Sequence, residues 1–263
     1  MSHTPPIPLK YGNKSFAYAS IKEPTKLVIF VHGFKGSPSG TWGEFPLLMR
    51  TDTELEYADI VFYGYDSTKE QANNNAVRFY KLLKAINEEG FDSVTNNNRQ
   101  FGLISYSNII LVAHSLGSIV VRRSLLLAKG EKMNWLEKCK MVLFAPAHRG
   151  SRVQNIALKV LPKWGKIIAG MGLLKFPVVE DLMPESQTIK NLIKDTKEYL
   201  DKNDGDFSIA HTVVWAANEI VVHNEVFCSD PVAEIMDDKD HISVCKPNVP
   251  DYANPFEIVK KAL

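Results

Sequence analysis

Five short runs of nearly uninterrupted apolar residues recur along the chain. They are Lys26–Val31, Ala58–Phe62, Asn108–Ala113, Met141–Phe144 and Thr212–Ala216. Short apolar runs rich in β-branched residues are typical of strands that are buried on both faces of a parallel sheet. Before the first run, Pro8–Lys10 and Ser15–Ala19 flank a Tyr-Gly-Asn-Lys turn and predict a hairpin.

Apolar residues at helical spacing lie between these runs. The spacing predicts helices over Lys69–Glu89, Leu116–Ala128, Ser186–Lys202 and Pro255–Leu263. Alternation of buried strands with helices predicts an α/β fold, a mostly parallel doubly wound sheet with helices on both faces. In such sheets the active groups follow the carboxyl ends of the strands.

Composition narrows the class of protein. No linker-like stretch, charge run or repeat divides the 263 residues, so we expect one domain over residues 1–263. A net charge of +1 and a pI near 7.7 give no reason to expect a nucleic-acid partner. The three cysteines are scattered and predict neither a disulfide framework nor a zinc site, which favours a cytoplasmic location. The chain has no signal-peptide pattern at its start and no apolar stretch of membrane-spanning length, so membrane contact would be peripheral.

The most informative motif follows the Asn108–Ala113 run, where the sequence reads Ala113-His114-Ser115-Leu116-Gly117. This is the hydrolase nucleophile motif G-x-S-x-G with alanine in place of its first glycine. It lies where a buried strand runs directly into a helix, as the motif requires. We therefore predict that Ser115 is a nucleophile and that the Leu116 N–H, at the helix start, stabilises a developing oxyanion. The alternative is that Ser115 only caps the helix.

Two residues near the C-terminus complete a possible triad. Glu219 follows the last predicted strand, and His241 lies in a loop-like Asp-His-Ile-Ser sequence. The order Ser115, Glu219, His241 is the order of nucleophile, acid and base in α/β-hydrolases. Asp66, Asp230 and Glu234 are alternative acids, and His148, after the Met141 strand, is a less favoured alternative base.

Five segments together resemble a known family. They are VIFVHGFKGSPSGTW, FYGYDS, IILVAHSLGSIVV, LFAPAHRGS and DHISVCKP. In sequence, order and spacing they are similar to the lipase-like α/β-hydrolases grouped with the mitochondrial serine-active-site phosphatidylglycerol-remodelling protein. GPI inositol deacylases are more distant relatives of that group.

The resemblance implies the α/β-hydrolase fold and specific roles. Ser115 would be the nucleophile, His241 the general base and Glu219 the acid, with the backbone N–H groups of Phe34 and Leu116 as the oxyanion hole. Two segments depart from the pattern: Ala113 replaces a glycine, and Ala-Pro-Ala-His at 145–148 replaces Gly-Thr-Pro-His. Neither departure removes a catalytic group.

A triad of serine, histidine and glutamate predicts a serine hydrolase of the carboxylesterase or lipase-like type. Such an enzyme would cleave a small-molecule or lipid ester without a metal or cofactor. Residues 151–183 are expected to form a small cap or lid over an apolar pocket. The basic, apolar part of this segment, 151–179, is also a candidate for peripheral membrane contact. Three alternatives stay open: a lipid acyltransferase with the same triad, a haloperoxidase-like enzyme, and a non-catalytic binding protein on the same fold.

Overall fold

An eight-stranded sheet forms the centre of the computed structural model within the residues that it describes, 2–95, 97–99, 101–152, 177–201 and 210–263. The spatial order of the strands is β1-β2-β4-β3-β5-β6-β7-β8. The strands are β1 Ile7–Pro8, β2 Phe16–Tyr18, β3 Lys26–Val31, β4 Ala58–Tyr63, β5 Asn108–His114, β6 Cys139–Phe144, β7 Ala210–Asn218 and β8 Glu234–Asp240.

Strand pairing confirms the predicted parallel sheet. The first two strands form an antiparallel hairpin, and β2 pairs antiparallel with β4, whereas β3 to β8 pair in parallel. Nearly every residue of β3, β4, β5 and β6 is buried. Because successive side chains of a strand point to opposite faces, this burial means that both faces of the central sheet are covered.

Seven α-helices are described: α1 Phe45–Thr51, α2 Ala72–Glu88, α3 Phe91–Val94, α4 Leu116–Gly130, α5 Pro177–Asp181, α6 Gln187–Asp201 and α7 Asn254–Ala262. The four predicted helices are confirmed as α2, α4, α6 and α7, with ends shifted by a few residues. Helices α2, α4 and α6 pack as one group, whereas α7 packs against β5, β6 and β7.

The predicted cap falls mostly outside the described residues, since 153–176 are not among them. Of the predicted segment 151–183, Ser151 forms a β-bridge with Val222, and α5 leads to the buried Leu182. The cap and the membrane contact through 151–179 therefore stay predictions. Among the described helices, none combines the length and apolar character needed to cross a membrane.

Candidate active site

Ser115 lies in the sharp turn between β5 and α4, with φ of 52° and ψ of −120°. A positive φ is strained for a residue with a side chain, so surrounding bonds must hold it. The Ser115 N–H donates to the Phe144 carbonyl at 3.1 Å, and the Ser115 carbonyl accepts from the Ala147 N–H at 3.2 Å. The hydroxyl makes no capping bond to the helix, so the alternative that Ser115 only caps α4 is wrong.

Close backbone packing explains which small residues this turn needs. A Cβ atom on Gly117 would lie 2.3 Å from the Val31 carbonyl oxygen, so any side chain at that position would collide with β3. A Cβ atom on Gly33 would lie 2.8 Å from the Cβ of Ser115. Ala113, by contrast, is fully buried in β5 with its methyl group accommodated. The motif therefore tolerates alanine at its first glycine but requires glycine at its second.

The side chains of Ser115, His241 and Glu219 form one hydrogen-bonded chain. His241 Nε2 lies 3.0 Å from Ser115 Oγ, and His241 Nδ1 lies 2.9 Å from Glu219 Oε2. All three residues are buried or nearly so. The other carboxylate oxygen, Glu219 Oε1, accepts the backbone N–H groups of Val221 and Val222 at 2.7 and 3.1 Å. Because the carboxylate accepts the Nδ1 proton, Nε2 presents its lone pair to the serine hydroxyl.

Three strand ends bring these residues together. Ser115 follows β5, Glu219 follows β7 and His241 follows β8. Strand β8 contains a bulge, because Met236 pairs with Ala216 whereas Asp240 pairs with Asn218, so residues 237–239 of β8 lie opposite one residue of β7. Bulges next to active sites redirect the chain that follows them. This one immediately precedes the loop that carries His241.

Two further histidines, His114 and His32, border this site. Burial, followed by the charge of His241, lowers the pKa of His114 to about 3, and its Nε2 donates to the His241 carbonyl at 2.7 Å. Burial lowers the pKa of His32 to about 4, and its ring stacks on Tyr65. His32 Nδ1 donates to the Gly33 carbonyl at 2.8 Å and thereby orders the loop that contains Phe34. Sequence reasoning assigned neither ring a role, although both adjoin the residues of its motifs.

A cavity of about 280 Å³ opens onto Ser115 and His241. Its apolar lining comes from Phe34, Leu182, Val221, Val222 and Ile242. The remaining lining includes Lys35, Lys246, His114 and several serine and threonine residues. The cavity therefore offers an apolar space directly beside the serine hydroxyl.

The alternative candidates lie elsewhere. Asp66 accepts the Thr68 and Lys69 backbone N–H groups, Asp230 pairs with Arg122, and Glu234 is exposed at the start of β8. His148 is buried, stacks on Phe227 at 4.6 Å between ring centroids, and lines a separate cavity of about 380 Å³. Glu219 is thus the candidate carboxylate that contacts His241, and His241 is the candidate imidazole that contacts Ser115.

Comparison with known structures shows a shared fold. The lipase BlEst2 of Bacillus licheniformis, in its propeptide form, is 17% identical with a TM-score of 0.58 over 93% of this chain. The chain spans about half of that structure, 53% of its length. The peroxisomal α/β-hydrolase Lpx1 of Saccharomyces cerevisiae is 12% identical with a TM-score of 0.57, covering 99% of this chain and 86% of Lpx1. The carboxylesterase CesB of Bacillus subtilis is 14% identical with a TM-score of 0.51, covering 98% and 91% of the two chains.

Sequence comparison gives the family. Curated proteins provide no significant match. The profile of the family described as "Putative serine esterase (DUF676)" matches residues 21–176, more than half of the chain. That range includes Phe34, Ser115 and Leu116 and ends before Glu219 and His241. The chain therefore belongs to this family, and it has the α/β-hydrolase fold.

Proposed function

We propose that the chain hydrolyses carboxylic esters through Ser115, His241 and Glu219 by way of an acyl-enzyme. One observation carries the proposal: the continuous chain of contacts from Ser115 Oγ to His241, at 3.0 Å, and on to Glu219, at 2.9 Å. A nucleophile within hydrogen-bond reach of a base, which is itself oriented by a third group, is the arrangement that activates a serine.

In the acylation step, Ser115 Oγ attacks the ester carbonyl carbon while His241 Nε2 takes the hydroxyl proton. The tetrahedral intermediate collapses when the bond to the alkoxy oxygen breaks and His241 returns the proton to that oxygen. A water molecule then attacks the acyl-enzyme, with His241 again accepting and returning a proton. The products are an alcohol and a carboxylic acid.

Glu219 stabilises the imidazolium that forms on His241 in both steps. Its Oε1 is fixed by two backbone N–H groups, so Oε2 stays aimed at Nδ1 of the ring. This holds the tautomer in which Nε2 is free to accept a proton.

The backbone N–H groups of Phe34 and Leu116 are the proposed oxyanion donors. Leu116 is the first residue of α4, and the N–H of such a residue has no acceptor within its helix. Phe34 follows Gly33, where an added Cβ atom would lie 2.8 Å from the Cβ of Ser115, so the chain passes close to the proposed nucleophile just before Phe34. Removal of one such donor typically costs about 3–4 kcal/mol of transition-state stabilisation.

The apolar cavity supports an acyl group as the part of the substrate that is buried. The apolar part of its walls comes from Phe34, Leu182, the Val221–Val222 pair and Ile242, and this part matches a hydrocarbon chain rather than a polar group. We expect p-nitrophenyl esters of medium chain length to be hydrolysed faster than the acetate. Activity that falls steadily from acetate upward would contradict this substrate class.

The decisive experiment is labelling with a fluorophosphonate probe, which reacts with activated serines. Wild type should be labelled and should hydrolyse p-nitrophenyl butyrate, and Ser115→Ala should do neither. Ser124→Ala is the matched control, because Ser124 is likewise buried but lies within α4, where its hydroxyl bonds to the carbonyls of Ala76 and Val120. Folded wild type that is neither labelled nor active would refute the proposal. Product analysis with an added acceptor alcohol distinguishes hydrolysis from acyl transfer.

A further inference from the structure

We infer that His114 is a positioning residue for the proposed base: it holds the backbone of His241 at a fixed distance from Ser115. This inference rests on the proposed function. His114 precedes the nucleophile in the chain, and its Nε2 donates to the His241 carbonyl at 2.7 Å. A single side chain thus connects the strand that carries Ser115 to the loop that carries His241, although 127 positions separate the two histidines.

The bonds within residues 240–243 set the shape of the His241 loop rather than its distance from Ser115. Further along this loop, Cys245 Sγ donates to the Thr41 carbonyl at 3.5 Å, a contact that does not involve β5. Asp240 Oδ1 accepts the backbone N–H groups of Ile242 and Ser243 at 3.1 and 2.9 Å, and the Ser243 hydroxyl donates to the same oxygen. These contacts are local to residues 240–243. They would persist if the whole loop moved relative to β5, whereas the His114 bond would not.

The surroundings of His114 keep its ring neutral. Burial and the neighbouring His241, Lys246 and His32 all lower its pKa, against the raising effect of the bond to the His241 carbonyl. The ring centroids of His114 and His241 are 4.9 Å apart. A charged His114 would therefore oppose the imidazolium that forms on His241 during catalysis, and a neutral donor avoids this repulsion.

Loss of the hydrogen bond between His114 Nε2 and the His241 carbonyl should slow the chemical step. Without it, the His241 loop can shift, and displacements of about 1 Å in catalytic groups reduce rates by up to about 100-fold. The ring also fills space beside Gly33, so packing must be separated from hydrogen bonding. Glutamine keeps an N–H donor of similar reach, whereas leucine and methionine fill the space without a donor.

The test compares His114→Gln, His114→Leu and His114→Met with wild type. The measurements are kcat and KM for p-nitrophenyl butyrate, the rate of fluorophosphonate labelling, and the melting temperature. His3→Gln and His3→Leu are matched controls, since His3 is also buried and its Nε2 lies 2.9 Å from a backbone carbonyl, that of Ala58. That contact lies at the amino end of β4, opposite the end of the sheet where the site lies.

We expect His114→Gln to keep kcat and the labelling rate within about 3-fold of wild type, and the leucine and methionine variants to lose about 10-fold or more. The His3 variants should change the melting temperature but not kcat. If folded His114→Leu or His114→Met is as active as His114→Gln, His114 only fills space and the inference is wrong. Equal loss in all three folded variants would also overturn it, since retaining a donor would then have no effect. Inactive wild type would refute the proposed function itself.

Discussion

Glu219 and His241 are joined by one carboxylate oxygen, while the other oxygen is fixed to the backbone that follows. Oε2 lies 2.9 Å from His241 Nδ1, and Oε1 accepts the N–H groups of Val221 and Val222. The carboxylate cannot rotate away from the ring without giving up both backbone bonds. A triad acid needs this rigidity, because a carboxylate that moves little holds the imidazole of the base in one orientation and so increases the rate.

Glu219→Gln should remove most of the esterase activity with little change in fold. The amide oxygen can still accept the Val221 and Val222 N–H groups, but the amide nitrogen then faces Nδ1 and favours the tautomer that carries its proton on Nε2. The proposed base would no longer accept the serine proton, and we expect kcat to fall by about 10³- to 10⁴-fold. Steady-state kinetics on p-nitrophenyl butyrate would measure this loss.

Glu234→Gln is the control for that change. Glu234 is another carboxylate that the order of residues left open as the acid, but it is exposed at the start of β8. It should leave kcat within about 2-fold of wild type. Comparable losses in the two variants would mean that Glu219 has no special role.

The central strands could be predicted from sequence because they are buried on both faces. In β3, β4, β5 and β6 a continuous apolar run is the direct result of helices covering both sides. Strand β8 has the sequence EIMDDKD and was not predicted, since Met236 is its one buried residue. It is an edge strand, paired on one side only. Charged residues and a bulge are common in edge strands, and here they interrupt the alternation of apolar and polar residues that would identify a strand.

Some residues of the candidate site could be predicted from the sequence because of a motif and the order of residues along the chain, not because of burial. Ser115 has a local signature, and the chain order of a hydrolase triad then points to Glu219 and His241 without any distance information. The contact between His114 and the His241 carbonyl has no local signature, because it depends on how β5 and the loop after β8 meet. The bulge in β8 could not be predicted from the sequence either, since a register shift depends on how β8 pairs with β7.

The two small residues of the nucleophile motif, Gly117 and Ala113, should differ in how strongly they respond to substitution. Gly117→Ala would force a methyl group to within 2.3 Å of the Val31 carbonyl oxygen, so helix α4 must move away from β3. We expect about 1–3 kcal/mol of lost stability. Since Ser115 precedes this helix, we also expect at least a 10-fold loss of kcat.

Ala113→Gly restores the G-x-S-x-G pattern and should cost about 0.5–1 kcal/mol of stability through the greater entropy of the unfolded chain, with kcat nearly unchanged. Urea unfolding and kinetics measure both effects; a stable, fully active Gly117→Ala would contradict the packing argument.

A buried ion pair between Asp59 and Arg99 should matter for stability but not for catalysis. Asp59 is fully buried at the amino end of β4, with Arg99 Nη1 at 2.7 Å and the Tyr106 hydroxyl at 2.6 Å. Arg99→Met leaves Asp59 as a buried charge without an ion-pair partner and should cost about 3–5 kcal/mol. Asp59→Leu should cost less, because Arg99 Nε keeps its contact with Asp92 Oδ1 at 3.0 Å. The double variant should cost less than the sum of the two. Urea unfolding of all four proteins tests the pair, and additive losses would show that Asp59 and Arg99 are not energetically coupled.

His148→Phe tests both the role of His148 and the pH dependence of stability. Burial holds the pKa of His148 well below its usual value, with the charge of Arg122 acting in the same direction. In the unfolded chain the residue titrates near pH 6.5. As pH falls below about 6.5, the unfolded state therefore binds a proton that the folded state does not. Stability contributed by the neutral ring is present above that pH and is lost as pH decreases, by up to about 1.4 kcal/mol per pH unit.

Phenylalanine cannot titrate and can stack on Phe227 as the imidazole does, with the adjacent cavity of about 380 Å³ providing room. Between pH 7.5 and 5, the free energy of unfolding of His148→Phe should therefore fall by about 2 kcal/mol less than that of wild type. The other buried histidines and the pair formed by Arg122 and Asp230 are common to both proteins, so their contributions largely cancel in the comparison. Activity at pH 8 should stay within about 3-fold of wild type, because His148 lines a cavity separate from Ser115. If the pH profiles of stability of wild type and His148→Phe are parallel, the His148 ring also becomes charged in the folded protein over this pH range. If kcat instead falls by about 10³-fold, His148 is the base.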